Sequence, residues 1–210
     1  MYAVKIWNHD ITIEADSEVF SPRGLDRGTE LMLGQVVLQP DDKVLDLGCG
    51  SGVVGIAVAK EIGVERVTLA DISVHALACT VENMRLNGLE NLDIQESDGF
   101  SDIPGSDYTL ILSNPPYHTD FSVAKHFIED GKRHLRVGGR MILVVKRLEW
   151  YRNKMTTVFG GARVISGEEY HVIISIKRDE KKVVGNLDKP IPKKHLKKME
   201  MAGKKRKRPG

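Results

Sequence analysis

From Lys43 to Arg178, short apolar runs alternate with longer segments in which apolar residues recur every three or four positions. "KVLDLG", "RVTLAD", "NLDIQE", "DYTLILS" and "RMILVVK" read as strands. "VVGIAVAKEIG", "SVHALACTVENMRLNG", "SVAKHFIEDGKRHLRVGG" and "EWYRNKMTTVFG" read as helices. Val54, Ala57, Val58 and Ile62 share a face of the first helix. Ser73 is placed to cap the second, Gly88 lies at its end, and a glycine pair ends the third. Such alternation implies parallel strands joined by right-handed crossover helices, hence a doubly wound α/β domain. "ARVISG" and "EYHVIISIKR" read as a closing antiparallel pair.

Two alternating runs, "YAVKIW" and "ITIEA", flank "NHD" and predict an N-terminal hairpin. A turn-rich lead then opens a helix whose Leu31, Leu33, Val36 and Val37 form an apolar face, so that residues 1–40 precede the alternating region. The expected domain is 1–178, followed by a tail of 179–210 without apolar periodicity, read as disordered on its own. Its charge is distinctive: residues 177–210 hold 14 Lys or Arg against 4 Asp or Glu, while the other 176 residues hold 17 against 25. An acidic body therefore carries a basic tail, although the whole chain nets only +2. No apolar run reaches the roughly 18 residues of a membrane helix, and no secretory signal opens the chain. Cys49 and Cys79 fit no metal or disulfide pattern, so a reduced, cytoplasmic protein without a metal is expected.

"VLDLGCGSGVVG" follows the first parallel strand and opens a helix. Glycines there let the chain turn sharply and let a ligand approach the backbone. Gly50, Gly52 and Gly55 alone satisfy the nicotinamide-cofactor fingerprint, and a plain tight turn would also account for them. Asp46 speaks against a dinucleotide, because a carboxylate before the glycines repels a pyrophosphate and suits a ligand offering a cation or donors. Asp71 ends the second strand, where it can accept from ribose hydroxyls. Asp98 ends the third, where its side chain can meet an adenine amino group. One strand-end Asp is often only a cap, but three at successive carboxyl ends outline a ligand crevice.

With "DLGCGSG", Asp71, Asp98 and "NPPY", the chain resembles the class I S-adenosylmethionine-dependent methyltransferases over roughly Phe20 to Arg178. The resemblance implies a Rossmann-like methyltransferase sheet, mostly parallel with an antiparallel C-terminal strand, and S-adenosyl-L-methionine as cofactor. It places Asp46, Gly48, Gly50 and Gly52 along the methionine end, Asp71 with Ile72 at the ribose, and Asp98 with Gly99 at the adenine.

"SNPPYHTDF" ends the fourth strand at the same edge, and its two prolines fix the backbone and remove donors. The Asn114 side-chain oxygen and a backbone carbonyl held by Pro115 can accept both N–H bonds of an exocyclic amine, aiming its lone pair at a methyl group. Asn114 also borders the cofactor, and Tyr117 can stack on a flat acceptor. The family resemblance gives this turn to methylation of adenine or guanine amines or of glutamine amides. "VFSPRGLDRGTELML" and His118 further resemble the catalytic domain of small-subunit ribosomal RNA guanine-N2 methyltransferases, implying guanine in ribosomal RNA as substrate. Two departures from them are expected: no duplicated N-terminal domain, and an added basic tail. Protein glutamine and adenine-N6 methylation are the alternatives. His118 can serve as packing residue or proton acceptor. The tail can bind RNA phosphates, be a solvated appendage, or carry a nuclear import signal. Oligomeric state is left open.

Overall fold

The computed structural model describes residues 1–14, 24–115 and 121–179. One unit spans Met1–Arg178, and the expectations for Tyr117, His118 and the basic tail lie outside the described residues. The elements run β1 (Tyr2–Ile6), β2 (His9–Ile13), α1 (Arg27–Leu33), β3 (Val44–Leu47), α2 (Val53–Ile62), β4 (Val67–Asp71), α3 (Val74–Leu86) and β5 (Asp93–Glu96). They continue with β6 (Tyr108–Ser113), α4 (Phe121–His134), β7 (Leu135–Val145), α5 (Leu148–Phe159), β8 (Arg163–Ser166) and β9 (His171–Ile176).

Seven strands form one sheet in the order β5-β4-β3-β6-β7-β9-β8. The first five pair in parallel, whereas β9 runs antiparallel to both β7 and β8. This is the expected doubly wound α/β sheet with its antiparallel C-terminal strand. The order reverses at β3, so a crevice opens beyond the carboxyl ends of β3 and β6. The central strands are buried, and their residues alternate between two cores. Val44, Leu110, Leu112, Ile142 and Val144 pack with α1, α2 and the hairpin. Leu45, Leu47, Ile111, Leu143 and Val145 pack with α4 and α5. Burial of both faces explains why these strands read as continuous apolar runs.

Three boundaries differ from the sequence reading. The third helix stops at His134, and Leu135–Val145 is all strand. Leu135 already pairs with Tyr108, and the register then shifts before Arg140 joins Leu110. The glycines serve that irregularity rather than a helix cap. Gly138 has φ +86°, and a Cβ on Gly139 would come 2.9 Å from the carbonyl oxygens of Arg136 and Tyr108. α1 ends at Leu33 and buries Met32 and Leu33, so Val37, 62% exposed, belongs to no apolar face. The hairpin turns at Trp7 and Asn8, with His9 already paired to Ile6.

The hairpin is fastened to α3 by two asparagines one turn apart. The Asn83 amide accepts from the Glu14 N–H (2.7 Å) and donates to the carbonyls of Glu14 (2.9 Å) and Ser51 (3.0 Å). Asn87 repeats the exchange with the Thr12 N–H (3.1 Å) and carbonyl (2.7 Å). Four helical residues rise about 6 Å, and two strand residues span about 6.6 Å, so the helix side chains can continue the ladder of β2. Asn83 is fully buried. Asn83→Ala should therefore lower the unfolding free energy by about 2 kcal/mol or more, since it strands buried backbone partners. Asn87→Ala should cost less, and urea titration of both variants measures the difference.

Candidate active site

Parallel pairing brings the ends of β3, β4, β5 and β6 to one edge, where a cleft of about 390 Å³ opens. Asp46, Gly48, Gly50, Asp71, Ile72, Asp98, Gly99, Asn114 and Pro115 all line it. Gly52 does not line it. Its φ of +81° starts α2, and a Cβ there would meet the Thr80 methyl at 2.9 Å. Its requirement is conformation and close packing.

Gly48 and Gly50 also have positive φ, +72° and +58°. A Cβ on Gly48 would meet nothing within 4 Å, which leaves open space for a ligand against the backbone. The loop is braced from three sides. The N–H groups of Gly48 and Cys49 both donate to the Ala70 carbonyl (2.8 and 3.0 Å). The Gly50 N–H donates to the Asp71 carboxylate at 2.9 Å. From α3, the Thr80 hydroxyl donates to the Gly50 carbonyl (2.9 Å), and Asn83 holds the Ser51 carbonyl. Thr80 and Asn83 are fully buried inside an otherwise half-polar helix. Their signal in the sequence is only their polarity on a packed face.

Asp71 has a structural duty as well as a position. One oxygen accepts from Gly50, and the other accepts from the Ser73 N–H at 2.9 Å. It thus ties the β3 loop to the β4 loop while retaining lone pairs on the cleft side. Asp98 lies two residues beyond β5, exposed in the loop rather than on the strand. Ile72 is 63% exposed at the cleft wall, an apolar surface beside polar neighbours. His75, Tyr2, Val123 and Phe127 also line the cleft and were not anticipated.

Asp46 is 3% exposed and accepts the Gly55 N–H at 2.8 Å. Burial raises its pKa to about 7, the Gly55 hydrogen bond opposes that rise, and the nearby Asp71 charge adds to it. Burial, followed by the charge of Asp46, also pushes the neighbouring Cys49 thiol well up, so it is inert at neutral pH.

The most informative contact crosses the chain. The Asn114 amide nitrogen donates to the Asp26 carboxylate (2.8 Å) and to the Thr29 hydroxyl (2.9 Å). Asp26 caps α1, accepting the Thr29 N–H (2.8 Å) and hydroxyl (2.9 Å) on the same oxygen. An ionised carboxylate only accepts, so the atom facing it must be the NH₂ group. The amide is thereby oriented, its nitrogen toward α1 and its carbonyl oxygen turned away. Asp26 and Thr29 line the cleft too. "GLDRGT" signalled them as part of a motif but not as neighbours of Asn114. Among the described residues, no group of three or more His, Cys, Asp or Glu could hold a metal ion. No helix among them is long and apolar enough to cross a membrane.

A parallel sheet closed by an antiparallel strand, with a glycine loop and acidic strand ends around one cleft, defines a Rossmann-like methyltransferase fold. Among solved structures, a T. thermophilus 16S rRNA N2 methyltransferase (RsmC) in complex with AdoMet and guanosine superposes with a TM-score of 0.76 at 24% identity, covering 84% of this chain and 50% of that one. TrmN from Thermus thermophilus gives 0.61 at 21% identity, covering 70% and 47%. The profile of the Methyltransferase small domain matches residues 10–175, and the chain belongs to that family. Ribosomal RNA small subunit methyltransferase C of Cronobacter sakazakii is 35% identical over 161 residues, 75% of this chain and 46% of the relative. The Haemophilus influenzae protein of that name is 34% identical over 172 residues, 80% and 52%. The chain spans about half the length of the curated relatives it matches.

Asp46 gives the site a signature in stability. Between pH ~4, where an unfolded aspartate ionises, and about 7, the folded chain keeps a proton that the unfolded chain has lost. Stability therefore falls as pH rises through this window and levels off above it. The contribution is about 4 kcal/mol at most. Asp46→Asn, which can still accept from Gly55, should gain stability relative to wild type as pH rises from 4 to 7. Denaturant midpoints across that range measure the difference, and a flat difference would contradict the burial argument.

Proposed function

We propose that the chain is an S-adenosylmethionine-dependent methyltransferase acting in the cytoplasm on an exocyclic amine of an RNA base, guanine N2 in ribosomal RNA. The observation that carries this reading is the Asn114 amide, fixed at the end of β6 beside the glycine loop.

The residues present fit the cofactor. Open backbone at Gly48 and left-handed glycines admit a ligand against the loop. A carboxylate made this basic by burial is a receptor for a cation, so Asp46 would hold the ammonium of the methionine moiety. Asp71, with Ile72 beside it, would take the ribose, and Asp98 with Gly99 the adenine. When bound, S-adenosylmethionine supplies an electrophilic methyl group on a sulfonium.

The chain's own contribution is to position the amine. The Asn114 oxygen and a carbonyl at Pro115 accept its two N–H bonds, and its lone pair is turned toward the methyl carbon. With the cofactor bound, this grip would present the nitrogen lone pair to the sulfonium methyl group, and the proton that the methylated nitrogen gives up would pass to water or a nearby base. Tyr117 would stack on the base. The RNA reading rests on the ribosomal RNA methyltransferases to which the chain is similar, and the basic tail would add phosphate contacts. Deleting residues 180–210 should weaken RNA binding in a salt-dependent way and leave cofactor affinity unchanged.

The test is to supply methyl-labelled S-adenosylmethionine with undermethylated ribosomal RNA, assembled small subunits or release factors. Label should enter RNA, and label confined to protein would overturn the substrate in favour of glutamine. Asn114→Ala should lower turnover about 100-fold while leaving cofactor affinity, measured by calorimetry, largely intact. Wild-type turnover in that variant would sink the mechanism.

A further inference from the structure

We infer that Asp26 and Thr29 are positioning residues for the methyl transfer, acting through Asn114. The inference rests on the reading of Asn114 as the group that grips the amine. An asparagine amide has two ends of nearly equal shape and opposite hydrogen-bonding character. Turned the wrong way it would offer N–H groups to an amine that itself has N–H bonds to donate, and the acceptor would be lost. Side-chain rotation alone does not select the right end. The selection comes from α1, 85 residues or more earlier in the chain.

Asp26 Oδ2 is the hub. It accepts the Thr29 N–H, the Thr29 hydroxyl and the Asn114 amide, while the Thr29 oxygen also accepts from Asn114. With its hydroxyl proton on Asp26, Thr29 presents only a lone pair to Asn114, so both partners demand the NH₂ end. Thr29 is buried and its cap is short, which leaves the pair little freedom to reorganise. A negative charge on the nitrogen side of an amide also draws its resonance toward the charge-separated form, making the carbonyl oxygen a stronger acceptor. The same carboxylate therefore orients the amide and strengthens its working end. A helix cap alone would need neither Asn114 nor the Thr29 hydroxyl.

Cap and clamp separate by substitution. Asn is as good an N-cap as Asp, so Asp26→Asn keeps the helix start and removes the charge. Thr29→Val keeps the N–H of the cap and removes the hydroxyl, and Thr29→Ser restores it. Asp26→Ala removes cap and clamp together. On the substrate that takes up label, kcat should fall about 100-fold in Asp26→Ala and about tenfold in Asp26→Asn and Thr29→Val, on the scale of a misplaced reacting group. Thr29→Ser should return close to wild type. Cofactor Kd and the KM for RNA should change little in all four.

A second readout does not depend on turnover. The side-chain amide of Asn114, assigned in a nitrogen-15 spectrum by its loss in Asn114→Ala, should show two well-separated, exchange-protected protons. They should lose protection in Asp26→Ala and Thr29→Val and regain it in Thr29→Ser. Absence of RNA methylation by the wild type would refute the proposed substrate and leave this spectral test standing. An unprotected Asn114 amide in the wild type would overturn the inference. So would variants whose amide is released while kcat is unchanged, or whose kcat falls only as far as their folded fraction.

Discussion

A carboxylate with almost no access to water sits where β3 gives way to α2, and the shape of the cleft follows from how that charge is accommodated. Asp46 points to the α2 face of the sheet and meets the Gly55 N–H there, one of the donors a helix start leaves unmatched. That bond fixes the approach of helix to strand, and the approach forces the residues between them into left-handed turns that glycine adopts most readily. Close packing adds a second demand, since a Cβ on Gly55 would come 2.4 Å from the Leu69 side chain. The glycine loop is thus the geometric result of placing a helix start over a buried acid. What the arrangement leaves unmet is the charge itself, and the pKa of about 7 expresses that need.

The neighbouring loops are joined to this one by hydrogen bonds instead of by packing alone. Asp71 binds the β3 loop to the β4 loop, and Thr80 and Asn83 hold its carbonyls from α3. The N-terminal hairpin is drawn in through Asn83 and Asn87, so a segment outside the main sheet supports the glycine-loop side of the cleft. On the other side, α1 reaches Asn114. Asp46, Asp71 and Asn114, three of the polar groups that the proposed chemistry needs, are each held by a partner outside their own strand, which keeps them in place before any ligand arrives.

Much of the fold was legible because the strands alternate faces and their helices have clear apolar stripes. The alternation, the closing antiparallel pair, the Ser73 cap and the strand-end acids all followed from local pattern. The errors lie where tertiary pairing overrides local signals. Gly138 and Gly139 look like a helix terminus, yet Leu135 is captured by Tyr108 and the glycines serve a register shift. Val37 has the right spacing for α1's face, but the helix ends before it. In the cleft, single residues at strand ends were readable, whereas their partners were not. Nothing in "GLDRGT" says that Asp26 meets Asn114, and nothing in α3 marks Thr80 and Asn83 as supports of the glycine loop. The sequence marks Gly52 as a glycine of the ligand loop but does not show that its left-handed turn also packs against Thr80.

The central claim is that an exocyclic amine of guanine is gripped at Asn114 and methylated there. Its most direct test is the identity of the product nucleoside. Ribosomal RNA lacking the modification should be incubated with the full chain and isotopically labelled S-adenosylmethionine, digested to nucleosides and resolved by mass and chromatography. The account predicts label in N2-methylguanosine, lost in Asn114→Ala. Label in N6-methyladenosine, in a ring carbon or ribose oxygen, or in protein alone would contradict it.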